Sequence, residues 1–439
     1  MQSLLVYSHP RVVGMLFLGF AAGLPYLLVF STLSTWLADY EINIRAIGMF
    51  AWVGLLYSIK VFWAPLVDRL PLPLLTNALG RRRGWMLLGQ FGIIAGLLGM
   101  AAVDPRVALA SVAWLAVVVA FSSATQDIAM DAWRIEAVEA EKQGAMAATY
   151  QLGYRVGMLV AGAGALYLAE LNSWNFAYGV MAACMSVGVA TVLIIGEPEG
   201  NPGTVRGFQR AELSLTRVVR WFEDAFIGPF AEFFRRNGRF AAVLLAFIGL
   251  SRVSDLLFGN IAPVLYVRLG YTLIEIANVT KIFGFGVTIG GALLGGIVVS
   301  RFGPYRPLVT ATVLVAVTNL AFAALSMHGF AALAEGGSAD LRWLAGVIAA
   351  DNLAVGFAGT VFIAYFSSLT SNAYTATQYA LFTSLMLLPG KVLSGFSGIV
   401  VDATNFVTFF VSASAAGIPA IVLAALIVRH AIRARRDAA

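Results

Sequence analysis

The chain has 439 residues, of which 60% are hydrophobic and only 12% charged, whereas an ordinary soluble chain carries about 25% charged residues. With a mean hydropathy of +0.84 it reads as a polytopic membrane protein, and its one cysteine, Cys184, excludes a disulfide framework or a cysteine metal site. The formal charge of +6 is explained by topology and by contact with anionic lipid, so nucleic acid need not be invoked.

Apolar runs of about 20 residues or more suit membrane-spanning helices, because a barrel would show short alternating segments. In chain order they predict twelve spans, at 12–36, 46–66, 85–103, 107–134, 145–168, 175–196, 239–266, 274–300, 306–327, 342–368, 375–400 and 405–428. The first run shows no small-residue cleavage site and reads as a retained helix, not a removed signal peptide. His9, His328 and His430 all fall outside the runs, which argues against histidine ligands or shuttles in the bilayer. The long interruption 197–238 divides the chain into an N-terminal six-helix bundle, 1–196, and a C-terminal bundle with a basic tail, 239–439. Within it, Leu215 to Phe234 reads either as an amphipathic helix on the membrane surface or as a solvated linker helix.

Cations set the orientation. With the N-terminus inside, twenty Lys and Arg fall on the cytoplasmic side and four, Arg45, Arg106, Arg268 and Arg342, outside, so both termini are expected in the cytoplasm. The remaining five, Lys60, Arg155, Arg252, Lys281 and Lys391, fall within spans, as do the carboxylates Asp127, Asp131, Asp255 and Asp351. Intramembrane charges are costly enough that they usually face a polar cavity and mark an ion or substrate path. Spans three, six, nine and twelve carry none by these boundaries, which predicts eight helices able to border a cavity and four forming an outer scaffold.

The densest charge pattern is Gln126-Asp127-Ile128-Ala129-Met130-Asp131-Ala132-Trp133-Arg134. On a helix Asp127 and Asp131 share a face, and Arg134 can reach the nearer acid. This is the outline of a proton-and-anion device; the alternative is an Asp-Arg clasp at a helix end. Arg155 could fork onto a carboxylate and Lys60 or Lys281 could act as a point charge. Tyr154, Gln151, Gln126 and Asn352 could supply hydrogen bonds to a substrate or simply pack helices, and Tyr26 could offer a ring face to a substrate or be core. Asp127, Asp131, Asp255 and Asp351 are the candidate proton carriers, since burial favours a protonated carboxyl while a nearby cation keeps it ionised. No cofactor is expected beyond the proton-motive force.

Asp68-Arg69 followed by Gly80-Arg81-Arg82-Arg83 joins spans two and three, and Gly295-Gly296, then Ser300-Arg301, Gly303 and Arg306, joins spans eight and nine. This repetition resembles the motif of the major facilitator superfamily, although Leu70 to Leu79 lengthens the first copy. The resemblance implies an all-α fold of twelve helices in two six-helix bundles with substrate between them, and a latching role for Asp68, Arg69, Arg81, Arg82 and Arg301.

Gly23-Leu24-Pro25, Lys60-Val61-Phe62-Trp63-Ala64-Pro65-Leu66-Val67-Asp68-Arg69, the Gln126 to Trp133 segment and Gly153-Tyr154-Arg155-Val156-Gly157 together resemble the AmpG family of muropeptide permeases. Asp255, Lys281, Asp351-Asn352-Leu353 and Ala376-Thr377-Gln378-Tyr379-Ala380-Leu381 extend the likeness over nearly the whole chain. It implies a monomer in the bacterial inner membrane, in contact with lipid, that imports an anionic glycopeptide, the anhydromuropeptide, with protons. It also implies a twelve-span core without the extra C-terminal helices of some relatives. Two rival classes remain open on the residues: a carrier of acetyl-CoA or another organic anion, and a multi-span acyl- or glycosyltransferase, for which the histidines are misplaced.

Overall fold

The computed structural model describes residues 6–139, 142–198, 228–370 and 375–437. Among them eleven segments are helical, long and apolar enough to cross a membrane, from Pro10–Asp39 at the start to Phe406–Arg433 at the end. They start where the chemistry of helix ends dictates. Ser173, Asp340 and Asn405 side chains accept from the first free N–H groups of their helices, and Pro105 and Pro307 occupy first-turn positions where no N–H is needed. Asp104 caps Pro105–Glu136 in the same way. Side-chain and backbone hydrogen bonds from Arg106 hold its carboxyl below the usual carboxylate range.

Three expectations need correction. The second span, expected as one helix over 46–66, is a succession of short α and 3-10 pieces from Ile44–Met49 to Ala64–Arg69. The ninth helix continues past residue 327 to Ala334, and the last to Asp437, so His328 and His430 stand inside helices. His328 stacks on Trp343 at 4.5 Å and His430 on Phe240 at 4.1 Å. The third helix begins at Arg81 and contains the buried Arg82, so this span is not free of buried charge.

The described residues form two compact units. The first holds the residues up to 198 together with Thr272–Lys281, and the second holds the rest.

In the first unit the first and fifth spans cross at backbone contact. A Cβ on Gly157 would lie 3.0 Å from the Leu24 nitrogen, and one on Gly153 or Gly23 would land on the carbonyl oxygen of the facing helix. Only glycine permits that approach, the small-residue logic of helix packing in lipid. Pro25 lacks the N–H that would bond the Ala21 carbonyl, and the Gln126 amide takes that carbonyl at 3.2 Å instead. The first span then breaks at Val29–Phe30 and restarts at Ser31. Opposite, the fifth span opens into a π-helical turn over Val160–Gly164, and Thr32 Oγ1 donates to the Ala161 carbonyl at 3.0 Å.

The second unit has an aromatic core of Phe247, Phe362, Tyr365, Phe366 and Phe382. Helix Gly228–Asn237 joins it through buried Phe233. Arg236 donates to the Leu369 and Thr370 carbonyls at the end of the tenth span, and Glu232 accepts from Gln378 Nε2 at 2.6 Å. The described end of the expected surface helix is therefore packed into the bundle; residues 199–227 lie outside the described residues.

Candidate transport site

Charge, ring and hydroxyl groups of the first unit form a connected row. Lys60 sits in a short 3-10 turn, Lys60–Phe62, and its Nζ stands 3.7 Å from Asp127 Oδ2 with side chains 33% and 15% exposed. Asp127 Oδ1 has no hydrogen-bond partner among the described residues. One turn along the fourth span, Arg134 Nη2 is 3.6 Å from Asp131 Oδ1, and its guanidinium lies 5.9 Å from the Tyr150 ring. Tyr150 and Tyr154 neighbour each other at 6.0 Å. Each acid thus has its own cation, Asp131 by helical spacing and Asp127 by a contact from the second span.

In the other direction Tyr57, one turn before Lys60, meets Tyr26 at 5.8 Å and Phe30 at 6.0 Å. Ser31, next to Phe30 at the helix break, accepts from Lys281 Nζ at 2.9 Å. Lys281 lies in a π-helical stretch, Ala277–Phe283, with its aliphatic stem against Gly162, and has no ion-pair partner among the described residues. Beyond it Tyr167 donates to Asn278 Oδ1, and Glu170 Oε2 accepts from the Leu273 N–H at 3.0 Å. Ser31, Tyr57, Tyr167 and Glu170 were not singled out from sequence. Tyr57 could have been found, because it shares a helical face with Lys60.

On the fifth span, Arg155 and Gln151 are exposed and lie about 40° apart around the axis, while exposed Leu152 and Val156 form a separate apolar stripe about 100° away. Leu152 and Val156 line an apolar groove with Leu16, Phe17 and Phe20, which suits acyl chains. A guanidinium is excluded from hydrocarbon, so the Gln151–Arg155 stripe is the polar side of this helix.

Other candidates have structural partners. Gln126 is fully buried and its amide is engaged with Ala21, which removes it from a substrate-facing position. Asn352 accepts from Thr288 Oγ1 at 2.7 Å and donates to the Ile348 carbonyl at 3.0 Å, a helix-packing arrangement. Arg82 clasps Glu136 with two hydrogen bonds, of 3.1 and 2.6 Å, and Glu197 caps the Arg82 and Arg83 amides. Together these tie the third, fourth and sixth spans within one unit. Arg81 is half-buried and Arg301 is exposed over Phe302; the Asp68 and Arg69 side chains lie outside the described residues.

In the second unit Asp255 Oδ2 and Arg252 Nη2 are 2.5 Å apart. Buried Asp351 is 3.3 Å from Thr318 Oγ1, and Asn319 Nδ2 bonds Ser254 Oγ at 2.7 Å.

Broken helices, glycine crossings and intramembrane ion pairs define a secondary transporter, and the sequence profile of the Major Facilitator Superfamily matches residues 15–390. The chain belongs to that superfamily. Several of its relatives carry the AmpG name. A Rickettsia felis protein named AmpG 4 is 33% identical over 420 residues, covering 95% of this chain and 96% of that one. The anhydromuropeptide permease of Escherichia coli K12 is 33% identical over 424 residues, 96% of this chain and 80% of that one. The solved structure of a peptide transporter POT in complex with sulfate superposes with a TM-score of 0.68 at 14% identity, over 97% of this chain and 95% of that one. These relatives are transporters, so the transferase alternative falls away.

Proposed function

We propose that this protein imports anhydromuropeptides across the bacterial inner membrane in symport with protons, working as a monomer with both termini in the cytoplasm. The observation that carries the substrate class is cationic capacity in the first unit: Lys60 and Arg134 are matched by Asp127 and Asp131, while Lys281 has no ion-pair partner among the described residues and Arg155 is exposed on the polar side of the fifth span. That surplus suits the peptide carboxylates of a muropeptide, and the Tyr26, Tyr57, Tyr150 and Tyr154 rings suit its sugars. The relative named anhydromuropeptide permease supports the same substrate.

Coupling follows from competition for one cation. A substrate carboxylate drawn to Lys60 withdraws the counter-charge of Asp127, so substrate binding and proton binding favour one another. Sealed proteoliposomes test this. Labelled anhydromuropeptide should accumulate when the outside is acidified, and unlabelled muropeptide should compete where acetyl-CoA, free sugars and plain peptides do not. Accumulation unaffected by a collapsed proton gradient would refute the coupling, and competition by acetyl-CoA alone would refute the substrate.

A further inference from the structure

We propose that Asp351, in the tenth span, is a second proton-binding group of the transport cycle, so that two protons accompany each substrate. The inference rests on the symport reading above and adds a carrier in the second unit, separate from the Lys60–Asp127 pair.

The second unit has more acceptors than donors around this residue. Asp351 is 8% exposed, and among the described residues no cation pairs with it. The charged and titratable groups facing it are Arg252, Asp255 and the Tyr266 phenol, all from the seventh span. Arg252 is engaged with Asp255 at 2.5 Å. Two carboxylates therefore share one guanidinium, and the site is electrically balanced only when one carboxyl holds a proton. Asp255 Oδ1 and Asn319 Oδ1, both buried, also have no partner among the described residues, so acceptors remain in excess.

The Thr318 hydroxyl is placed to serve a carboxyl that changes its protonation. Thr318 has a single hydroxyl proton, and its Oγ1 lies 3.2 Å from the Val315 carbonyl and 3.3 Å from Asp351 Oδ1. The carbonyl can only accept. A hydroxyl donating there can accept from a protonated Asp351, and one turned the other way donates to the carboxylate, so Thr318 can serve both states of a carboxyl that loads and releases a proton. An ionised Asp351 would have to share the Arg252 guanidinium with Asp255, leaving one negative charge uncompensated in the membrane interior, which is strongly disfavoured. The step is one proton bound from the outer water and released to the inner water, with no other bond changed.

Asp351→Asn supplies a neutral side chain of the same shape. With the membrane potential clamped and a gradient of about one pH unit, each coupled proton supports about a tenfold accumulation. The variant should keep substrate counterflow but reach a steady-state ratio about tenfold lower than the parent. A parental ratio would overturn the proposal. Infrared difference spectra of the parent at neutral pH should contain the carbonyl stretch of a protonated carboxyl that is lost in Asp351→Asn and retained in Asp127→Asn. Absence of that band also overturns it. If Asp351→Asn fails to fold, Thr318→Val removes the hydroxyl acceptor and should move the pH at which the band appears; an unmoved band counts against the assignment. The infrared reading needs no substrate, so it decides the role of Asp351 even if the parent fails to transport muropeptide and the proposed substrate is wrong.

Discussion

Replacing Lys60 by Met removes the charge opposite Asp127 while keeping most of the side-chain volume. At 3.7 Å the pair's Coulomb energy lies between about 1 kcal/mol in water-like surroundings and about 4 kcal/mol at an effective dielectric of 20. With side chains 33% and 15% exposed, about 2 kcal/mol is the working figure. A double-mutant cycle isolates it, since residues in one ion pair show coupling energies of about 0.5–3 kcal/mol. Lys60→Met alone should lower the melting transition of the purified carrier, because it leaves Asp127 without its cation. Asp127→Asn added to it should recover most of that loss, and Lys60→Arg should retain parental stability. In proteoliposomes, Lys60→Met should still exchange substrate but lose most of its response to the proton gradient, since substrate no longer competes with Asp127 for that charge. A coupling below about 0.5 kcal/mol, within the additivity error of independent sites, would refute the reasoning; so would parental gradient-driven uptake by Lys60→Met.

Three further substitutions probe the scaffold. Gly157→Ala drives a methyl into the Phe20 carbonyl oxygen and to 3.0 Å from the Leu24 nitrogen, where backbone cannot yield, and should destabilise by about 3 kcal/mol or more on thermal melting. Gly179→Ala, with nothing within 4 Å of its Cβ, should be neutral or stabilising by up to about 1 kcal/mol. Arg82→Gln breaks the clasp on Glu136 and should cost about 1–3 kcal/mol of stability with apparent substrate affinity unchanged in counterflow. A selective fall in counterflow rate without loss of stability would instead make Arg82 a gate.

The helical class was legible because bilayer thickness imposes a length and a composition on every span. The acid-base spacing on the fourth span was legible because a single helix fixes which of its residues share a face, and Asp131 and Arg134 meet as 3.6-residue periodicity requires. What sequence could not supply was the local breakage of helices. The second span reads as a plain apolar run, yet it is broken into short turns, and Lys60 sits in one of them. Nor does the apolar run around Val160 announce a π-helical turn, although that turn offers the Ala161 carbonyl to Thr32. Both depend on partners distant in sequence.

Polar residues in a membrane helix are ambiguous for a related physical reason. Gln126 and Asp127 are consecutive, equally costly to expose to lipid, and indistinguishable by hydropathy as site candidates. Rotation by about 100° per residue sends them to different fates: Gln126 is fully buried and its amide replaces the hydrogen bond that Pro25 cannot make, while Asp127 stands in a partly exposed ion pair, 3.7 Å from the Lys60 ammonium. The same division separates Asp351 from Asn352, whose amide is fully engaged by Thr288 and Ile348. A polar side chain that completes the backbone's hydrogen bonding is structural. One whose charge is unpaired or only loosely paired has capacity for a proton or a substrate, and that criterion, more than polarity, favours Asp127, Lys281 and Asp351 among the described residues.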